Sequence, residues 1–501
     1  MRAPRRSRAI AALAAAPVLL AAAAPAVAHP HVTHPYAHKD PQKQAQRLAE
    51  RLVSQASGES AYRHLEQFQK IADANGGTRA AGTPGYDASA AYVYGQLKGA
   101  GYDVAYQDFD IHESKTLREK LTVVTPGPRE LKTAAFQFSK ASPAGGLTAQ
   151  VKAARVDATP GCALDDYASD TFTGKIALVK RGSCTFQEKE AVAAKAGAAG
   201  IILYNHSGDA PVHGTVSDPA NAHIPAAGIS LADGEALAAQ VAKGDVTVTL
   251  DVATEAVAHK TRNVIAETKG GDPANVVALG SHLDSVPAGP GINDNGSGSA
   301  GLLEVALKLA KETKQTKKHP RPTANKVRFA WWSGEELGLL GSEHYVKSLT
   351  AEQKQRIKLY LNFDMIGSPN PAELVYDGDN SDNVGEGAGP AGSAQIERLI
   401  NGYLDKKHVP HWGTDFDGRS DYGPFIEQGI PAGGTFTGAE GLKTEEQAAG
   451  AGGEANKPYD PNYHAAGDTL KNIDRAYFDL NIDVIAHAVG TYAQDLSSLK
   501  G

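Results

Sequence analysis

Trp331-Trp332-Ser333-Gly334-Glu335-Glu336-Leu337-Gly338-Leu339-Leu340-Gly341 is the stretch on which the reading of this chain turns. The apolar run 327–332 has the composition of a buried strand and stops at Ser333-Gly334. Two adjacent glutamates follow at once, and then a Gly-rich apolar segment. Carboxylates at the end of a buried strand are costly unless they are paired or hold a metal. A solvated Glu-Glu at a helix start, favoured by the helix dipole, explains the pair equally well in isolation. The rest of the chain decides between the two.

Two further apolar runs end in the same manner. Residues 276–280 lead through Ser281 into His282-Leu283-Asp284, and 359–363 lead into Asp364. Helices are expected between them, over 297–311 with Leu302, Leu303 and Ala306 inward, over 339–349, and finally over 474–499. Continuous apolar strands alternating with helices imply an α/β fold, a mostly parallel mixed sheet flanked by helices on both faces. Ligands of such sheets gather outside the carboxyl ends of the strands, so residues distant in sequence converge there. Two loops add candidates: Asp294 in Gly291-Ile292-Asn293-Asp294-Asn295-Gly296-Ser297-Gly298, and His464 in Tyr463-His464-Ala465-Ala466-Gly467-Asp468-Thr469. Imidazole and carboxylate ligands suit zinc. Five are too many for one tetrahedral ion that keeps a water. Shared through one bridging carboxylate, they give each of two ions three protein ligands and an open position.

The remaining chain reads as follows. Residues 41–75 are expected to be helical, 76–85 a loop, 87–100 an amphipathic helix stopped by Gly101, and 103–111 and 120–125 strands. Between about 135 and 251 the texture changes to short strands (150–156, 175–180, 200–204, 246–252) with one alanine-rich helix over 189–198. This β-rich module is expected to be inserted into the α/β domain, whose halves are 40–134 and 252–501. Residues 433–453 read as a long Gly/Ala-rich loop. His206, His213 and His223, in the loops of the β-rich module, read as surface histidines.

Length and composition bound the function. A chain of 501 residues is too long for one ordinary core. With 41% hydrophobic and 21% charged residues it is globular, and a net charge of -7 argues against a nucleic-acid partner. The basic segment 1–8, the apolar segment 9–24 and Ala26-Val27-Ala28 have the layout of a secretory signal peptide over 1–28. A His- and Pro-rich leader or pro-segment over 29–40 follows it. No other stretch is long and apolar enough to span a bilayer, so the mature chain is expected to be secreted, without a membrane, and is read as a monomer. Cys162 and Cys184, an even pair in an exported chain, invite a disulfide.

Arg181-Gly182-Ser183-Cys184-Thr185-Phe186, the helical stretch after it and Gly200-Ile201-Ile202-Leu203-Tyr204 resemble a protease-associated (PA) domain over roughly 135–250, in which the cysteine pair stands where such domains often carry a disulfide. His282-x-Asp284, the loop around Asp294, Ser333-Gly334-Glu335-Glu336-x-Gly338, Asp364-Met365-Ile366-Gly367 and Tyr463-His464 resemble the secreted bacterial di-zinc aminopeptidases of the leucyl aminopeptidase type. Gly82-Thr83-Pro84-Gly85 and Gly418-Arg419-Ser420-Asp421-Tyr422-x-Pro424-Phe425 are similar to that family too, and some of its members carry an inserted PA domain.

The resemblance implies the zinc exopeptidase fold and a role at each matching position. His282, Asp294 and Asp364 hold one zinc; Asp294 bridges to a second, completed by Glu336 and His464. Glu335 is the general base, Tyr463 donates to the oxyanion, and Arg419 and Asp364 lie by the substrate. Asp284 orients His282 by accepting its other ring N–H. A cis peptide at Asp294-Asn295 belongs to the same resemblance. So does a calcium site at Asp479 and Asp483, against which a solvated helix face must be set. Relatives that flank the last histidine with a disulfide differ from this chain, where Asn462 and Gly467 stand nearby and packing alone must hold the loop.

The expected function is hydrolysis of the N-terminal peptide bond of peptides and proteins, with large apolar N-terminal residues favoured. Alternatives are a related di-zinc carboxypeptidase or dipeptidase, a single-zinc glutaminyl cyclase, and a binding protein that has kept the fold and lost the chemistry.

Overall fold

The computed structural model describes residues 40–499 apart from 169–170, 207, 217–218, 315–321, 384 and 386. The expected signal peptide and nearly all of the leader lie outside the described residues.

The sheet that carries the site is ordered Trp412–Thr414, Leu374–Tyr376, Ala432–Phe436, Ile357–Phe363, Asp272–His282, Asn325–Trp332, Thr247–Glu267. Ala432–Phe436, Ile357–Phe363, Asp272–His282 and Asn325–Trp332 run parallel to one another, and the outer two of these each pair antiparallel with the next strand out. Alternation along the central strands sends residues to two separate cores. Val277, Leu279, Phe329, Trp331, Leu359 and Leu361 pack under the helices Gly58–Ala74, Gly298–Thr313 and Arg475–Tyr492. Val276, Ala278, Ala330, Trp332 and Tyr360 face the other way, against Tyr345, Val346 and Phe425. Both indoles of Trp331-Trp332 are therefore buried, on opposite faces, which is the helix-covered sheet expected of continuous apolar strands.

Four expectations are corrected. Residues 41–75 form two helices, Pro41–Val53 and Gly58–Ala74, the second capped by the Ser57 side chain accepting from the Ser60 N–H. The two short strands before the β-rich module are one strand, Asp103–Thr125. It pairs antiparallel with Thr247–Glu267 from Asp103 opposite Glu267 to Thr125 opposite Thr247. The run 246–252 is thus only the start of a 21-residue strand. The Gly/Ala-rich stretch contains a strand, Ala432–Phe436, and a helix, Glu445–Ala451. Its glycines hide the strand: a Cβ on Gly434 would sit 1.9 Å from the Asn362 carbonyl oxygen of the adjacent strand, so no strand-forming side chain fits.

The long ribbon joins the two sheets. Near Val264–Glu267 it pairs with Asn325–Trp332; near Thr247–Leu250 it pairs with Leu147–Ala153. From there the second sheet runs Leu147–Ala153, Ile176–Lys180, Gly200–Tyr204, Ala226–Ile229, all parallel, and closes with antiparallel Ala134–Ala135. Helices Phe186–Lys195 and Leu231–Val241 pack against it, and Cys162 and Cys184 form the expected disulfide.

Candidate metal centre

Three parallel strands deliver the site. His282 ends one strand and stands in register beside Trp332, the end of the next; Asp364 follows the end of the third. After Trp332 the chain turns through Gly334 at φ +73°, so both glutamates drop into the space above His282. Asp294 enters from a six-residue irregular turn, Ile292–Ser297, that leads into the helix Gly298–Thr313. His464 comes from the last loop, at φ +55°.

These side chains converge. His282 Nε2 lies 3.3 Å from Asp294 Oδ1, 3.2 Å from Asp364 Oδ1 and 3.8 Å from Glu335 Oε2. His464 Nε2 lies 3.2 Å from Asp294 Oδ2 and 2.9 Å from Glu336 Oε2. The Asp294 carboxylate is thus divided, one oxygen toward each histidine. His282 and Asp294 are buried at 1% and 5% exposure, whereas the His464 side chain keeps 40% and forms part of the mouth. His282 Nε2, Glu336 Oε1 and Asp364 Oδ1 are buried without a hydrogen-bond partner. Buried imidazole and carboxylate atoms without hydrogen-bond partners, gathered at the centre of one cluster, are donors that a cation satisfies. His282–Asp294–Glu336 and His282–Glu335–Asp364 each bring three ligand atoms within the reach of one ion. The residues therefore fit a metal centre, and their chemistry is that of zinc.

The electrostatics agree with that chemistry. Burial pushes the Glu335 carboxyl well above its usual range, and repulsion from Asp364, Asp421 and Glu336 adds to it against the pull of His282. Burial raises Glu336 to about 8, aided by Asp294. Burial alone would raise Asp294 too, but the imidazoles of His282 and His464, one beside each of its oxygens, hold it below the carboxylate range. Burial works against a charged His464, yet its contacts with Asp294 and Glu336 raise it to about 10.

The supporting residues are arranged around this centre. Asp284 differs from the expectation. The His282 Nδ1 lies 3.1 Å from the Asp284 main-chain carbonyl, while the nearer carboxylate oxygen is 3.7 Å away. The Asp284 carboxylate accepts instead from the Glu335 and Glu336 N–H groups, at 3.3 and 3.4 Å. Asp284 thus fixes His282 through its backbone and the two glutamates through its side chain. The Tyr463 ring stacks on the His464 ring at 3.8 Å, and Arg419 Nη2 donates to the Tyr463 hydroxyl at 3.1 Å while pairing with Glu440 at 3.0 Å. The Asp294–Asn295 peptide is cis. A cavity of about 360 Å³ opens from these groups and is lined further by Leu339, Met365, Tyr376, Phe436 and Ala439.

Several partners were not singled out from the sequence. Ser420 donates to Asp364 Oδ2 at 2.6 Å. Asp468 accepts the N–H groups of Asn293 and Asp294 at 2.8 and 2.9 Å. Asn472 bridges Asp460 and Asp468 and binds Asn462. The last loop is held by this hydrogen-bonded network rather than by packing alone. Arg79 is fully buried beneath the Asp294 loop. Ser420 and Asp468 stood inside quoted motifs, but Arg79 gave no signal beyond a charged residue in a loop. At the proposed calcium position, Asp479 accepts the Gly58 N–H and Asp483 faces Lys407 Nζ at 3.4 Å and the Tyr403 hydroxyl at 3.2 Å.

The profile of peptidase family M28 matches residues 263–489, which contain every candidate ligand, and the PA domain profile matches 147–237. The probable lipoprotein aminopeptidase LpqL of Mycobacterium tuberculosis is 43% identical over 91% of this chain and 89% of its own length. The chain belongs to peptidase family M28. Leucine aminopeptidase 2 of Arthroderma otae is 46% identical over 84% of this chain and 81% of that protein. Among solved structures, the aminopeptidase of Aneurinibacillus sp. strain AM-1 covers 88% of this chain and 95% of its own at a TM-score of 0.70 and 27% identity. The zinc aminopeptidase of Bacillus subtilis covers 86% and 94% at 0.60 and 27%. The chain is thus an M28 peptidase with an inserted PA domain on the fold expected from its strands.

Proposed function

We propose that this chain, a zinc-dependent aminopeptidase by its family, is an exported enzyme that removes the N-terminal residue of peptides and proteins at a centre built for two zinc ions. The observation that carries this reading is the division of the Asp294 carboxylate between His282 and His464. His282, Asp294 and Asp364 would hold one ion, and Asp294, Glu336 and His464 the other. Bound zinc supplies a water acidified to near-neutral pKa and polarises a carbonyl oxygen.

The chain's own residues do the rest. Glu335 is the base that takes a proton from the attacking water at its carboxylate and later gives it to the leaving amine. The Tyr463 hydroxyl, steered by Arg419, donates to the oxygen that becomes negative. Carboxylates around the centre bind the substrate's free α-amine, which makes the enzyme an exopeptidase. Leu339, Met365, Tyr376, Phe436 and Ala439 give the cavity an apolar wall for a large apolar N-terminal side chain. The inserted module is placed at 135–251, between catalytic halves 40–134 and 252–501, and the mature chain acts outside the cell as a monomer. Calcium has no part in this proposal, because Asp483 already faces the Lys407 ammonium.

The intact set of five ligands, His282, Asp294, Glu336, Asp364 and His464, favours two ions over the one of a cyclase. The test compares leucyl-p-nitroanilide with its N-acetylated form, with and without a chelator. The expected result is turnover of the free-amine substrate alone, lost on chelation and regained with zinc. Equal turnover of the blocked substrate, or turnover that survives removal of all metal, would overturn the reading.

A further inference from the structure

Arg79 lies inside the loop that carries the central carboxylate, and it comes from the N-terminal half of the chain. Its guanidinium is fully buried, with the Phe68 ring 5.1 Å away. Nε donates to the Pro290 carbonyl at 2.8 Å, Nη1 to the Leu283 carbonyl and Nη2 to the Gly291 carbonyl. Its own N–H donates to Ser285 Oγ at 3.0 Å, and its carbonyl accepts the Ser285 N–H at 3.4 Å. One side chain thus binds the chain just after His282 and again just before Asp294. The fit is close: a Cβ on Gly291 would stand 3.2 Å from Nη2 and 2.3 Å from the Asp294 carbonyl oxygen. All three acceptors are main-chain carbonyls, so the charge is not consumed by a contact ion pair with one carboxylate. It is felt instead by Asp468, Asp284, Asp294 and Glu336.

We propose that Arg79 is a positioning residue for the two-zinc centre: it sets the spacing of His282 and Asp294 and offsets the charge of the carboxylates that must share the ions. The inference rests on the two-zinc reading. Three donors in one rigid plane are required, because the carbonyls of Leu283, Pro290 and Gly291 approach from different directions, and a lysine ammonium reaches only some of them. Arg79 is buried away from the cavity, so it acts on zinc affinity and on turnover rather than on substrate binding.

The experiment uses full-length Arg79→Lys and Arg79→Gln enzymes beside the wild type. It reads zinc per chain by mass spectrometry, zinc affinity by competition with a chromogenic chelator, melting temperature with and without zinc, and kcat and KM on leucyl-p-nitroanilide. In Arg79→Gln, zinc affinity is expected to weaken at least tenfold, as loss of outer partners of metal ligands does. Arg79→Lys should fall between it and the wild type. In both, kcat should drop, KM should stay within about threefold, and excess zinc should recover much of kcat. The inference is overturned if either variant keeps wild-type zinc affinity and loses activity only in step with its melting temperature. It is equally overturned if Arg79→Lys cannot be obtained folded, since Arg79 would then support the fold as a whole. A wild-type enzyme that itself takes up fewer than two zinc ions per chain would instead refute the two-zinc reading, so the two failures are told apart.

Discussion

Replacing Tyr463 by phenylalanine isolates one hydroxyl. The ring stacks on His464 at 3.8 Å, and phenylalanine keeps that contact, so His464 should stay where it is. Only the oxygen that accepts from Arg419 Nη2 at 3.1 Å is lost, and Arg419 retains Glu440 at 3.0 Å, so no cation is stranded. Were the hydroxyl only a surface hydrogen bond, its removal would cost stability of about 1 kcal/mol and leave turnover alone. As a donor to a developing oxyanion inside a half-enclosed cavity, it is worth about 3–4 kcal/mol in the transition state and little in the ground state. Steady-state kinetics on leucyl-p-nitroanilide should therefore show kcat reduced about 100- to 1,000-fold with KM changed little. Zinc content should equal that of the wild type. A kcat within about threefold of wild type would refute the oxyanion role, and a pure rise in KM would move Tyr463 to ground-state binding.

Other expectations follow from the same geometry. Glu335→Gln should fold and keep both zinc ions, because the Asp284 carboxylate accepts main-chain N–H groups at 335 and 336 that the substitution leaves in place. Its kcat should fall by about 100- to 10,000-fold, the worth of a general base; loss of zinc from that variant would make Glu335 a ligand instead. His64 gives a pH dependence. It is buried, its Nδ1 lies 2.6 Å from the Tyr92 hydroxyl, and burial with nearby Lys308 lowers it from 6.5 to about 4. The unfolded chain takes up a proton near pH 6.5 and the folded chain does not. Stability is therefore complete above pH 6.5 and declines as the pH falls toward 4, by up to about 3 kcal/mol from this residue. Urea denaturation at pH 7 and pH 4.5 should show a smaller loss in His64→Gln than in the wild type, and an identical loss in both would exclude His64 as the source.

Much of this arrangement could be read from residue order, for a physical reason. The strands that end in His282, Trp332 and Phe363 are buried on both faces toward those ends, so they are written as largely apolar runs, broken only by Arg328 and Asn362, and the polar residues that follow each run are conspicuous. Asp294 and His464 stood out because glycines surround them. Other features left weaker traces. The ribbon Asp103–Thr125 is exposed over much of its length, so it lacks the apolar alternation that marks a strand. Ala432–Phe436 is a central strand made largely of small residues, because the neighbouring Asn362 carbonyl admits no side chain at Gly434. The split role of Asp284 depends on the turn after Trp332, which composition does not specify. Arg79 lies more than 200 residues from Asp294 and binds only carbonyl oxygens, groups that every residue carries, so no pairing could be inferred.

The central claim is that one carboxylate, Asp294, joins two zinc sites. Zinc titrated into metal-free enzyme, followed by calorimetry with parallel rates on leucyl-p-nitroanilide, tests it most directly. Two ions per wild-type chain are predicted, with Asp294→Asn weakening both sites and abolishing turnover while the chain stays folded. Saturation at one ion per wild-type chain with full activity, or an Asp294→Asn enzyme that loses a single ion and leaves the other site at wild-type affinity, would contradict it.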